Sequence, residues 1–374
     1  MIPFNRADFG DIEISNATRA IASSHTSGNG PYTHRAEELL SDLHGNRATL
    51  LTTSGTHALE MGARLLNLQP GDEVIVPAYT FVTTASSFLW NGARPVFADI
   101  RDDTLNIDPN SVETAITSRT KAICIVHYAG VGADPDVFQD LALRHNLSLI
   151  EDNAHGLGGT FNGAPLGTFG DLSTLSFHET KNVSCGEGGA IVINDSTLLG
   201  RAEVIREKGT NRSDFSRGKV DKYTWIDAGS SWVPSDILAA ILVGQLERFA
   251  DIQNQRHLIW QRYLLALEEW ARTSDVRLPY IPAEAGHSAH IFFLRLPSRQ
   301  HRERFIRHMS DRGIMAVFHY QALHSSPFAS QLQGLRACPT SEIAAETVVR
   351  LPLYSGLSEE QQNIVIQAVT DFRV

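Results

Sequence analysis

From about residue 48 to 195, short apolar runs rich in β-branched residues alternate with stretches of helical spacing, the pattern of a mostly parallel sheet covered by helices. The runs predict strands over Ala48 to Thr53, Glu73 to Ala78, Arg94 to Asp99, Ala122 to Tyr128, Leu147 to Asp152, Leu172 to Phe177 and Ala190 to Asn194. Helical spacing or capping falls between them over Thr56 to Leu66, Thr83 to Trp90, Asn110 to Ile116 and Pro135 to Asn146. The fifth run is nearly uninterrupted apolar, as a strand covered on both faces should be. Residues of about 196 to 232 are less regular and rich in charge and glycine, with Lys208 to Arg212 reading as a loop. A long amphipathic helix is expected from Ile237 to about Trp270, then a tail mixing strand-like His290 to Arg295 with helical Arg302 to Arg312 and Ser358 to Val369. The expectation is an α/β chain with a large domain over 1–240 and a smaller C-terminal α+β domain over 241–374.

A chain of 374 residues is long enough for such a pair of domains. Lys plus Arg total 32 against 42 Asp plus Glu, a net charge of -10 with no basic stripe, so nucleic acid is not an expected partner. No apolar run approaches the length that spans a bilayer and no leader-like start is visible, which points to a cytoplasmic protein. Cys124, Cys185 and Cys338 are far apart, and the histidines include no HExxH, so neither a disulfide framework nor a metal site is expected.

In sheets of this kind ligands gather at the carboxyl ends of the strands. Ser54-Gly55-Thr56, Phe81, Asp152 and Ser176 all fall at or just past predicted strand ends. Asp152 closes an apolar strand, where a carboxylate wants a cationic partner. Lys181 follows the next strand and precedes the glycine-rich run Gly186 to Gly189, which lets backbone pass close to a ligand. Such a lysine can hold an aldehyde as a Schiff base, and such a carboxylate can keep a pyridine nitrogen protonated, which is what pyridoxal phosphate chemistry requires. Ser54, Gly55, Thr56 and Ser176 are placed for a phosphate. Phe81 is placed to stack on a ring and His155 to bond its phenolic oxygen or stack near it. Taken singly, each residue has an ordinary packing, capping or surface role.

Taken together these stretches resemble the DegT/DnrJ/StrS sugar-nucleotide aminotransferases, a branch of the fold-type I pyridoxal phosphate enzymes. The resemblance runs through Ser54 to Leu59, Pro70 to Ile75, Glu151-Asp152 with His155, Ser176 to Lys181, Gly186 to Gly189, and His319-Tyr320 with His324. Within the family it is strongest to members that aminate TDP-4-keto-6-deoxyglucose at C4 to give TDP-4-amino-4,6-dideoxygalactose, a precursor of common-antigen polysaccharide. Phe177 to Asn182, Arg206 to Ser213, Val220 to Trp225 and Met315 to Tyr320 carry that narrower likeness. The resemblance implies L-glutamate as amino donor, Lys181 and Asp152 as catalytic residues, and a homodimer with shared active sites. For the TDP-sugar it leaves Lys208, Arg212, His319 and Tyr320 as candidates. Where many members carry an asparagine-tyrosine-arginine run that reaches the partner's cofactor phosphate, this chain reads Gly229 to Asp236, so Ser231 would have to take that role. A C3 ketone, an equatorial C4 amine, a cofactor-binding protein without turnover, and a sugar 3-dehydratase remain open. The dehydratases carry histidine where this chain has Lys181.

Overall fold

The computed structural model describes residues 1–332 and 334–374. Seven strands form the large sheet: β1 (Ala48–Thr52), β2 (Glu73–Pro77), β3 (Arg94–Ala98), β4 (Thr120–Val126), β5 (Ser148–Asp152), β6 (Leu172–Ser176) and β7 (Gly189–Ile193). They lie in the order β1-β7-β6-β5-β4-β2-β3. Only β7 runs against its neighbours, pairing antiparallel with both β1 and β6. Each predicted strand of this region is therefore present, with ends moved by a residue or two. Tyr128 falls outside β4, in a short 3-10 turn whose Ala129 has φ 58°.

Two-residue alternation explains why the strands look continuously apolar. On β2, Val74 and Val76 face the helices Gly55–Leu65 and Val82–Leu89, packing with Ala58, Met61 and Phe88. Ile75 faces the other way, into a core with Val112, Phe138 and Leu141 from helices Pro109–Ala115 and Pro135–His145. The same alternation separates the two acids that end β5. Glu151 is fully buried, bonded to His127 at 2.8 Å, and accepts amides from Gly167, Phe169 and Gly170, so it anchors a loop. Asp152 points to the other side.

A second sheet has β8 (Phe292–Arg295), β9 (Val317–Phe318) and β10 (Val348–Leu351), with β10 in the centre and both neighbours antiparallel. Its core joins Phe292, Leu294, Val349 and Leu351 to Trp260, Tyr263, Phe305 and Val365 from three helices, and takes in Ile2 from the start of the chain.

Three helical expectations are corrected. The single helix over Ile237 to Trp270 is two, Asp236–Glu247 and Phe249–Thr273, broken where Arg248 sits at φ -96°, ψ 8° and turns its guanidinium to Asp8 and Glu13 at 3.0 Å each. The irregular stretch after 196 contains the helix Leu199–Arg206, and the loop from Lys208 gives way to a short helix at Arg212. Helices Asp11–Ala22 and Pro31–Leu43 were not anticipated. The second helps cover the β1, β6 and β7 side of the sheet, where Leu40 joins Leu51, Leu175, Val192, Leu242 and Leu246.

Candidate active site

Asp152, Lys181, Ser176 and the start of helix Gly55–Leu65 converge on one cavity of about 990 Å³. Ser54, Gly55, Thr56, Phe81, His155, His319 and Tyr320 line it as well. The convergence is topological, because β1, β5 and β6 all deliver their carboxyl ends to this side of the sheet.

At the helix end, Ser54 caps the first turn, its Oγ accepting from the His57 amide at 3.1 Å. The amides of Gly55 and Thr56 are left for an anion, as in any first helical turn. A side chain could not replace the hydrogen at Gly55, since a Cβ there would lie 2.9 Å from Cβ of Ser176. That contact brings the Ser176 hydroxyl beside the helix start. Gly189 has a different purpose from the one expected of the glycine-rich run. A Cβ on it would lie 2.3 Å from the Ser54 carbonyl carbon, so it admits the neighbouring backbone rather than a ligand.

Asp152 is 5% exposed. Its Oδ2 accepts from the Thr84 hydroxyl at 2.7 Å and its Oδ1 from the Ala154 amide at 3.2 Å. Burial raises its pKa above the usual carboxylate range, against the Thr84 hydrogen bond and the charge of Lys181. Lys181 lies half-buried in the loop after β6. Burial pushes its amine down from the ordinary 10.5 to about 8, with Asp152 acting against the fall and Arg350 adding to it. No ion pair joins the two residues, so each feels the other's charge across a gap.

The cavity wall opposite the sheet is a stack of rings. His155 lies 4.2 Å from His290 and nearly parallel to Tyr320, whose hydroxyl meets its Nε2 at 3.1 Å. His319 stacks on Tyr320 at 3.7 Å and is fixed by the hydroxyl of Tyr128 on its Nδ1 at 2.7 Å. Burial drives His155, His290 and His319 well below the ordinary histidine range, so all three are neutral near pH 7. The buried Nδ1 of His155 has no hydrogen-bond partner among the described residues.

These features fit pyridoxal phosphate. A ring nitrogen would give the desolvated Asp152 its cation, a phenolic oxygen would satisfy His155, and a phosphate would take the amides at Gly55 and Thr56 with the Ser176 hydroxyl. Phe81, 53% exposed at the cavity mouth with its ring 6.2 Å from that of Tyr320, is free to cover a ring.

Not every expected residue meets here. Lys208, Arg212 and Ser231 are exposed and lie outside the cavity in this chain. Lys208 adopts a left-handed φ of 65°, Arg212 leans on Glu207 at 3.9 Å, and Ser231 is bridged to Glu207 through the backbone. His319 and Tyr320, expected to share the sugar nucleotide with Lys208 and Arg212, line the cavity beside His155, apart from those two. Sequence reasoning missed Thr84, His290 and Arg350. A threonine pair at Thr80 and Thr84 on a helix start was the only local hint, and the hydroxyls are 2.9 Å apart.

A lysine kept partly neutral and a carboxylate kept from water, together at parallel strand ends, define the class: a fold-type I enzyme of the pyridoxal phosphate kind. The chain belongs to the DegT/DnrJ/EryC1/StrS aminotransferase family, which matches residues 9–370. It is similar to the aminotransferase TlmJ of Streptoalloteichus hindustanus, with 29% identity over 99% of this chain and 98% of that one and a TM-score of 0.91. The Streptococcus pneumoniae protein Spr1654, described as a sugar aminotransferase and captured in its PMP form, is 27% identical over 99% and 98% with a TM-score of 0.91. The synthase of 3-amino-5-hydroxybenzoic acid is 25% identical over 98% and 97%, TM-score 0.88. Membership and donor set together indicate pyridoxal phosphate as the cofactor.

Proposed function

We propose that the chain moves an amino group from L-glutamate to the C4 ketone of TDP-4-keto-6-deoxyglucose, giving TDP-4-amino-4,6-dideoxygalactose. The chemistry rests on Lys181 and Asp152 facing one cavity. The choice of substrate rests on the particular runs Phe177 to Asn182, Arg206 to Ser213, Val220 to Trp225 and Met315 to Tyr320.

When bound, the cofactor supplies an aldehyde for the incoming amine and a ring that holds an electron pair. The rest falls to the chain. Lys181, with a pKa of about 8, is neutral often enough near neutral pH to take the proton from the donor's α carbon, and protonated often enough to return it. Asp152, whose pKa burial raises against the Thr84 hydrogen bond and the charge of Lys181, would hold a ring nitrogen cationic as its ion-pair partner. Thr84 fixes the orientation of that carboxylate. Neutral His155, clamped between Tyr320 and His290, has only its Nδ1 to offer, as a fixed partner for a ring oxygen.

For the sugar nucleotide we place Lys208 and Arg212 at the diphosphate, reached across a homodimer cleft in the cytoplasm, with Ser231 extending to the partner's cofactor phosphate. The uncovered aromatic surface next to them supports this: Trp225 is 76% and Tyr223 57% exposed. The test is to offer TDP-4-keto-6-deoxyglucose with L-glutamate and follow 2-oxoglutarate and the amino sugar by NMR. An axial C4 amine with matching 2-oxoglutarate supports the reading. An equatorial C4 amine, a C3 amine or loss of the C3 hydroxyl replaces it.

A further inference from the structure

Arg350 enters the cavity from the small sheet and is the least satisfied cation there. On β10 its neighbours Val349 and Leu351 belong to the core of that sheet and to the cavity wall. Arg350 alternates with Val349, so its side chain leaves on the other face, toward Tyr79, Tyr128 and Tyr320. The guanidinium carbon stands 4.3 Å from the ring centre of Phe4. Nη2 donates to the Phe318 carbonyl at 3.1 Å, and the buried Nε has no partner.

Other buried arginines show what satisfaction looks like. Arg206, though its Nε too has no partner among the described residues, is paired with Glu37 at 2.5 Å, and Arg295 is paired with Asp102 at 2.7 Å. Arg256 has no acid but gives its donors to the Ala289 and His290 carbonyls at 3.1 and 2.6 Å. Arg350 has neither solution, since among the described residues no carboxylate reaches it and one carbonyl takes one of its five donors. A guanidinium partly withdrawn from water, with its buried Nε unmet, gains when an anion arrives.

The lining narrows what that anion is. Among the described residues, Lys181 and Arg350 are the only Lys or Arg facing the cavity, and the histidines His155, His290 and His319 are held neutral. Lys181 is the reacting amine. The amides at the helix start and the Ser176 hydroxyl would take the cofactor phosphate. An amino acid donor brings a carboxylate that must stay fixed while its α carbon is worked on, and a planar fork of donors matches a carboxylate two bonds at a time.

We propose that Arg350 binds a carboxylate of the amino donor, with Phe4 and the Phe318 carbonyl holding its guanidinium in place. The proposal rests on L-glutamate being the donor. It assigns the N-terminal segment a purpose too. Ile2 pairs with Ile314, the Phe4 carbonyl accepts from the Leu353 amide at 3.3 Å, and Asn5 Nδ2 donates to the Glu179 carbonyl at 2.9 Å. Phe4 is thereby fixed between the small sheet and the loop that carries Lys181.

The experiment titrates holoenzyme with glutarate, which has the donor's two carboxylates and no amine, and separately with TDP, both by calorimetry. Arg350→Gln is expected to weaken glutarate by about 30-fold or more. Arg350→Lys, a point charge without the fork, is expected to lose about tenfold. TDP affinity should stay within about twofold and the cofactor absorbance should be unchanged, while the KM for L-glutamate rises with the glutarate Kd. Unchanged glutarate affinity in Arg350→Gln overturns the proposal, and so does a loss of TDP affinity in its place. If Arg350→Gln does not fold, Arg350→Lys decides, wild-type glutarate affinity being the contrary result. Failure of the glutamate reading is separate: wild-type enzyme would then neither bind glutarate nor release 2-oxoglutarate, and the assignment of Arg350 would fall with it.

Discussion

The strand-end region around Lys181 and the segment from Lys208 to Ser231 are built to opposite specifications. In the first, charges are taken out of water and left without full partners: Asp152 accepts two hydrogen bonds but no ion pair, and His155 keeps an orphan Nδ1. In the second, Lys208, Arg212 and Ser231 stay in water, and Tyr223 and Trp225 lie open. Groups strained by burial mark where bonds change, because only there do shifted pKa values matter. Groups left in solvent gain strength when another surface covers them. The two regions therefore predict different kinds of failure on substitution.

The largest effect belongs to the first region. Lys181→Ala should lower transamination on the order of 10⁴-fold, with circular dichroism unchanged and the visible absorbance of lysine-bound cofactor gone. Asp152→Asn should cost about 10²- to 10³-fold in kcat with a small change in the KM for either substrate, since its charge acts mainly on the developing ring charge. An Asp152→Asn enzyme with full kcat would mean that burial at this carboxylate serves packing alone.

Effects in the second region should be smaller and fall on binding. Arg212→Ala should raise the KM for the TDP-sugar about tenfold while the cofactor spectrum and the glutamate half-reaction stay as they were. If nucleotide affinity does not move, the loop from Lys208 is not the diphosphate site. If Ser231 reaches the partner's cofactor phosphate as proposed, Ser231→Ala should weaken cofactor retention only about fivefold, measured by fluorescence on dialysis, since a single hydrogen bond would be lost.

The smallest effect is one of stability with pH in cofactor-free protein. The folded pKa of Lys181, about 8, lies below the unfolded 10.5. Folding thus opposes the proton at Lys181 below pH 8, and the unfolded chain binds more protons between pH 8 and 10.5. Stability should rise through that window. Lys181→Met, lacking the charge, should be more resistant to urea than wild type at pH 7, with the gap closing by pH 10.5. A constant gap would mean that the amine is not desolvated.

The same contrast explains what could be read from residues alone. Continuous apolar runs bounded by turns reveal buried strands, so all seven strands of the large sheet were foreseen, and Asp152 and Lys181 followed from their places at strand ends. Helix Asp11–Ala22 was hidden because its buried face includes Glu13 and Asn16, and Glu13, besides the local Gly10 amide, is met by Gln245 and Arg248, far along the chain. Thr84 reaches Asp152 across 68 positions, a pairing no local pattern shows. Arg350 gave no signal in the sequence. Its meaning depends on Phe4 and on which acids are absent around it, and both are tertiary facts.

The central claim is that the ε-amino group of Lys181 is the atom that carries the cofactor. Purified protein incubated with pyridoxal phosphate, reduced with borohydride and digested should yield one pyridoxyl-modified peptide, and fragmentation should place the modification on Lys181. Modification at another lysine, or none at all while transamination proceeds, would contradict it.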